Sequence, residues 1–246
     1  MKILFMDLEN VVRPEHIFHP GQRGKFGRAA GFCADLAYIL VFGYKWLGQE
    51  ANSIQLTAPQ MKKDPFNDKP ILLKALEIMS QADVVITWYG SGHDMPFLQS
   101  RLAKAGLYMD PKIRHIDLYK VARSKLRLSS NRLDSVASFF NLPAKMKVSS
   151  VLWSDCWAGK HTSLLKMAEY CKKDCDVLEG VYHKLIQLGT ALPHVGKFKG
   201  LDPLTSCQTC GSTKLMGNGY RVTKLKRYHR LRCQDCGGHQ KGEEST

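Results

Sequence analysis

The chain has 246 residues, 44% hydrophobic and 24% charged, with 36 Lys or Arg against 22 Asp or Glu for a net charge of +14. That is enough to bury a large core and append a small module. The composition is that of a soluble globular protein, and no apolar run approaches the ~20 residues needed to span a membrane.

A chain this basic suits a polyanion, with nucleic acid the leading partner. The amino-terminal residues show no basic-then-apolar leader with a cleavage site. The expected setting is therefore the cytoplasm or another reducing compartment, where the eight cysteines read as metal ligands or free thiols rather than disulfides.

The first strand, Lys2 to Met6, delivers Asp7 and Glu9. Side chains two apart on a strand share a face, so these carboxylates stand together and repel unless a cation lies between them. Hard divalent ions such as Mg²⁺ and Mn²⁺ prefer oxygen ligands of this kind. Arg13 to Arg28, rich in Pro, Gly, His and basic residues, reads as a loop beside the carboxylates.

Ala37 to Leu47 is apolar, β-branched and aromatic and reads as a strand, with Ser53 to Leu56 as an antiparallel neighbour. Lys62 to Lys69 reads as a charged loop. Ile71, Leu72, Ala75, Leu76 and Met79 then repeat at helical spacing in a helix that Asp83 ends, and Val84 to Trp88 is a buried strand. Gly90 to Leu98 follows as a tight turn into a helix reaching about Ala105. Asp94 there has the look of an N-cap, a role compatible with holding a metal. His93 beside it reads as packed or solvated.

Ile113 to Leu118 is the next strand. From Lys112 to Arg132 there are seven Lys or Arg against one acid, Asp117, a run able to meet a phosphate backbone. Leu133, Val136, Ala137, Phe139, Phe140 and Leu142 pack a short helix. Trp153, Trp157 and the loop to His161 either cover the core or line a groove, the core being preferred. A long helix from Ser163 to Leu188 buries Leu164, Leu165, Ala168, Leu178, Val181, Leu185 and Leu188. Tyr170 and Asp174, four apart, share one of its faces, while Asp176 points elsewhere and is expected to be solvated or capping.

Pro193 to Leu204 reads as a linker. Beyond it Cys207-Gln-Thr-Cys210 and Cys233-Gln-Asp-Cys236 form two Cys-x-x-Cys knuckles, 22 residues apart, followed by Gly211 and Gly237. Four thiolates so spaced make a closed, structural Zn²⁺ site, and the module looks like a zinc ribbon. The glycines suit tight turns that donate backbone N–H to sulfur. His229 and His239 are available as ligands but unnecessary. Arg221, Lys224, Lys226, Arg227, Arg230 and Arg232 lie between the knuckles with Tyr220, Tyr228 and His229, a mixture suited to phosphate contact and base stacking. Cys33, Cys156, Cys171 and Cys175 have no paired spacing and read as buried free thiols.

Three strings in this order resemble the motifs of the DEDD exonucleases, proofreading-type nucleases with a ribonuclease-H-like fold. They are Asp7-Leu8-Glu9, Thr87-Trp-Tyr-Gly-Ser-Gly-His-Asp94-Met-Pro-Phe-Leu98 and Tyr170-Cys-Lys-Lys-Asp174. The third has the Tyr-x-x-x-Asp form. The alternative form needs His five residues before the Asp, where this chain has Glu169. The family's second motif often places a small polar residue where His93 stands.

The resemblance covers about residues 1 to 190. It implies an α/β fold, a ribonuclease-H-like mixed sheet flanked by helices, with the zinc ribbon added. The expected domains are residues 1–192, a linker over 193–204 and the ribbon over 205–246. The implied activity is 3′–5′ exonucleolytic hydrolysis of DNA or RNA through two Mg²⁺ or Mn²⁺ ions held by Asp7, Glu9, Asp94 and Asp174, with Tyr170 orienting the attacking water. The expected partner is a single-stranded or frayed 3′ end, DNA favoured over RNA, with a protein partner at the ribbon as a further option. Two rivals stand beside this reading: a structure-selective endonuclease on the same fold, and a nucleic-acid-binding protein with an inert nuclease domain.

Overall fold

The computed structural model describes residues 2–12, 33–64, 66–111, 113–143, 146, 148–188, 196 and 200–245. The loop expected over Arg13 to Arg28 lies outside them, as does half of the linker. Strand β1 (Ile3–Val12) runs down the middle of a five-stranded sheet. β2 (Ala37–Trp46) pairs with it antiparallel, and β3 (Ala51–Gln55) pairs antiparallel with β2. β4 (Val84–Thr87) and β5 (Arg114–Asp117) extend the other side in parallel, giving the order β3-β2-β1-β4-β5.

Helices α1 (Ala58–Lys63), α2 (Lys69–Met79), α3 (Asp94–Lys104), α4 (Leu118–Lys125), α5 (Leu133–Phe139), α6 (Ser150–Trp157) and α7 (His161–Gln187) flank it. Three further strands, β6 (Leu215–Val222), β7 (Arg227–Cys233) and β8 (His239–Ser245), form a separate antiparallel sheet.

The alternation of β1 divides the core. Leu4, Met6 and Leu8 join a cluster with α2, α3, α6 and the first half of α7. Ile3 and Phe5 join a second cluster with α4, α5 and the second half of α7, from Val177 to Ile186. Asp7 and Glu9 continue the Ile3–Phe5 series where apolar packing gives way to polar groups. A buried ion pair ties α3 to α2 and β2. Arg101 Nε and Nη2 donate to the two oxygens of Asp68 at 2.8 and 2.7 Å, and the Ile39 amide donates to Asp68 at 3.0 Å. Both oxygens of that carboxylate are thus hydrogen-bonded, and its charge is paired, as burial requires.

Several elements depart from the sequence reading. The helix α1 runs through Lys62 and Lys63, so the loop expected from Lys62 begins only after them; Thr57 caps the Gln60 amide while the Gln60 side chain accepts from the Thr57 N–H at 2.8 Å. This reciprocal bond is a capping box, legible in Thr-Ala-Pro-Gln. The segment from Trp153 is the helix α6 rather than a core loop, and Trp157 is 41% exposed. Leu165 and Leu188, expected in the apolar stripe of α7, are exposed. Asp83 lies beyond the end of α2 and instead accepts the Lys2 N–H at 2.6 Å.

Candidate active site and metal centres

The sheet and α7 bring three acids together. Carboxylate oxygens of Asp7, Glu9 and Asp174 lie within 4.8 Å of one another. A β-bulge falls just after Glu9, where the pairing of β1 with β2 shifts register. Bulges re-aim side chains at sites of this kind. Gly43 pairs with Asp7, and a Cβ on it would lie 2.6 Å from Cys171 Sγ and 3.0 Å from the Cys171 carbonyl oxygen. The bare glycine therefore lets α7 settle against the strands. Cys171, expected only as a buried thiol, donates to the Asp7 carbonyl at 3.4 Å and lies 3.6 Å from Asp7 Oδ2. Burial, then the nearby acids, push its thiol well up, so it stays a neutral donor.

Asp94 takes a different place. It is the first residue of α3, with His93 rather than Asp94 at the N-cap, and it is 5% exposed. It lies outside the three-acid group. Burial raises its carboxyl to about 7, opposed by hydrogen bonds from its own and the Leu8 backbone N–H and reinforced by the charge of Asp117. His93 meets Asn10 Oδ1 at 3.2 Å and packs on Phe97. The turn leading to Asp94 is held by Asp117, which the sequence marked only as a lone acid in a basic run. Its oxygens accept from the Tyr89 amide at 2.9 Å, the Ser91 amide at 3.0 Å and the Tyr119 amide at 3.1 Å. Alternating strand geometry gave no sign of that task.

The three acids sit in a cleft of about 1400 Å³, whose lining also includes Tyr170, Trp153, Tyr89, Tyr119 and Arg132. Trp153 thus packs on the first core cluster and also lines the cleft, edge-on to Tyr170 at 6.2 Å. Tyr170 is hydrogen-bonded to Asp174. Burial, then the charges of Asp174, Glu9 and Asp7, push its phenol well above its ordinary value, so it keeps its proton. Asp176, expected to be solvated or capping, is ion-paired with Lys45 at 2.6 Å, and Lys45 also meets Glu179 at 2.9 Å.

Both candidate metal centres fit their donors. Three clustered oxygen donors of one charge sign suit a hard divalent cation. The Sγ atoms of Cys207, Cys210, Cys233 and Cys236 also lie within 4.8 Å of one another, an all-sulfur set suited to tetrahedral Zn²⁺. Gly211 and Gly237 have φ of 83° and 70°, the left-handed turns expected. Their amides, however, donate to the carbonyls of Cys207 and Cys233, at 2.8 and 3.0 Å. The next residue supplies the N–H to sulfur, as Gly238 does to Cys236 at 3.4 Å. His229 lies against Tyr220 and His239 against Arg230, neither in the thiol group.

A five-stranded mixed sheet with helices on both faces and acids at its centre defines a ribonuclease-H-like protein. The RNase_H superfamily matches residues 29–186, and the chain belongs to that family. The match begins beyond β1. The chain is also similar to a DNA polymerase of Methanocaldococcus jannaschii, 26% identical over 130 residues, covering 44% of this chain and 8% of the polymerase. In fold it is similar to the family B DNA polymerase of the hyperthermophilic archaeon Pyrobaculum calidifontis, with a TM-score of 0.52, 14% identity, and coverage of 76% of this chain and 26% of that one. The chain thus spans a small part of the length of either polymerase. Among the described residues, no helix is long and apolar enough to cross a membrane.

Proposed function

We propose that this protein is a divalent-metal-dependent 3′–5′ exonuclease. The observation that carries the reading is the grouping of Asp7, Glu9 and Asp174 within 4.8 Å in an open cleft. Mg²⁺ or Mn²⁺ held there by these carboxylates would supply an activated water and offset the charge that builds on the phosphate. Asp7 and Glu9 from β1 and Asp174 from α7 would hold that cation charge in place. Asp94 is the fourth acid of the reading, and a cation beside it favours its ionised form. Tyr170 remains a proton donor, so it orients water rather than acting as a base. The 3′–5′ polarity rests on the likeness of the three motifs to the DEDD exonucleases, and DNA is favoured because the similar proteins are DNA polymerases.

In the ribbon, Arg227 lies 3.7 Å over the Tyr220 ring and Lys241 lies 3.2 Å over Tyr228. One face of each ring is thereby taken by a cation, which supports phosphate contact over base stacking as the ribbon's role. The test is a time course on 5′-labelled single strands, duplexes and RNA with Mg²⁺, Mn²⁺ or EDTA, for wild type and Asp7→Asn. A ladder shortening from the 3′ end, abolished by EDTA and by Asp7→Asn, is expected. Cleavage of end-blocked or circular substrate overturns the exonuclease assignment, and no cleavage of any substrate overturns the enzymatic one.

A further inference from the structure

We propose that Tyr89 is a built platform on which an unpaired nucleobase of the bound strand stacks. The inference rests on the nucleic-acid reading above. Tyr89 lines the same cleft as Asp7, Glu9 and Asp174, yet its side chain is 46% exposed. Its φ is 61°, in the left-handed region that bulky residues avoid. The surrounding structure imposes this conformation. Asp117 takes the Tyr89 and Ser91 amides, and Gly92 leaves room for the ring, since a Cβ there would come within 2.6 Å of Tyr89 Cζ. Tyr119 lies 5.0 Å away, its ring plane turned 81° from that of Tyr89.

A surface tyrosine needs none of this, and strain held at an exposed aromatic beside clustered acids points to a ligand. Every base offers a flat π-face, so such a ring binds bases with little regard to sequence. A base inside a duplex is stacked and paired and cannot lie there without leaving the helix. Tyr119, with Arg123 5.8 Å over its ring, continues the wall and adds a cation suited to the phosphate alongside.

The experiment uses the full-length protein with Ca²⁺ in place of Mg²⁺ to slow turnover. Single strands carry 2-aminopurine at successive positions from the 3′ end. Stacking quenches its fluorescence, so one position should quench on binding to wild type and to Tyr89→Phe but not to Tyr89→Ala. Affinity of Tyr89→Ala for the strand should fall roughly 5- to 150-fold, the range for losing one base–aromatic stack. That loss should vanish on a strand abasic at the quenched position, which a merely structural role of Tyr89 would not produce. Wild-type quenching and affinity in Tyr89→Ala, or an equal loss on the abasic strand, overturns the platform. If Tyr89-dependent quenching appears but no cleavage is ever seen with Mg²⁺, the platform stands and only the nuclease reading falls.

Discussion

Gly43→Ala places the sequence-to-site argument under direct strain. The added methyl would meet Cys171 Sγ at 2.6 Å and the Cys171 carbonyl at 3.0 Å, where ordinary contact begins near 3.4 Å. The carbonyl belongs to helical backbone, so α7 as a whole must retreat by a few tenths of an ångström. Overpacking of this kind costs about 1–3 kcal/mol. Because Asp174 and Tyr170 ride on α7 while Asp7 rides on β1, the retreat also widens the site. A 1 Å misplacement can cost about 10²-fold in rate, so a smaller shift should cost on the order of tenfold. Denaturant titration and the rate of Mg²⁺-dependent cleavage read the two effects. Adding Cys171→Ala removes the sulfur but not the carbonyl contact, so the double variant should recover part of both losses. Wild-type stability and rate in Gly43→Ala would refute the claim that this glycine sets the approach of α7.

Tyr170→Phe should slow cleavage by about one to four decades while metal-dependent binding persists; an unchanged rate would reduce Tyr170 to a packing residue. For Glu179, burial raises the carboxyl, but His183, the Gly48 amide and Lys45 outweigh it and bring it from 4.5 to about 2. The folded value lies below the unfolded one, so the associated stability is complete above pH 4.5 and is lost as pH falls through about 2. After allowing for solvent screening, Glu179→Gln should cost about 1–3 kcal/mol at neutral pH and progressively less in acid. Denaturation midpoints at neutral pH and near pH 3 test this, and a difference that grows in acid would contradict it. Zn²⁺ should remain with the protein through a mild EDTA wash that halts cleavage, since thiolates hold it tightly and carboxylates hold the harder Mg²⁺ or Mn²⁺ only weakly. Mass spectrometry finding no zinc in the untreated protein would remove the ribbon assignment.

What the sequence disclosed followed from periodicity and from spacing. The alternation of β1, the long apolar run of β2 and the helical repeats of α2 and α7 each appear in the fold close to where they were read. Asp7 and Glu9 were legible as a pair from a local spacing and the four ribbon thiols from a repeated one, whereas Asp174 was joined to the acids only through the resemblance of its motif. What stayed hidden depends on contacts between distant segments. Asp117 holds a turn that begins 28 residues earlier, Asp68 partners Arg101 from 33 residues away, and Cys171 reaches Asp7 across 164. No window along the chain contains such pairs. Asp94 illustrates the same limit, since its motif was recognisable but its burial beneath the Leu8 amide was not. The exposure of Leu165 and Leu188 follows from neighbours that stop short of them, not from their own hydropathy.

The second core cluster does not end with the nuclease fold. Cys236 of the ribbon packs on it beside Tyr182, and a Cβ on Gly237 would rest 3.5 Å from Gln187 at the end of α7. Burial raises the Tyr182 phenol, and the ribbon's Cys236 and Cys210 raise it further. A shortened chain that stops at the linker therefore loses the Cys236 contact with its core as well as an accessory. If Zn²⁺ holds the four thiols, its supply becomes a condition on the lifetime of the protein. Loss of that ion would then loosen the packing at the far end of α7, the helix that carries Asp174 at its middle. Metal scarcity would thus set how much of the protein survives before it changes how fast each molecule works.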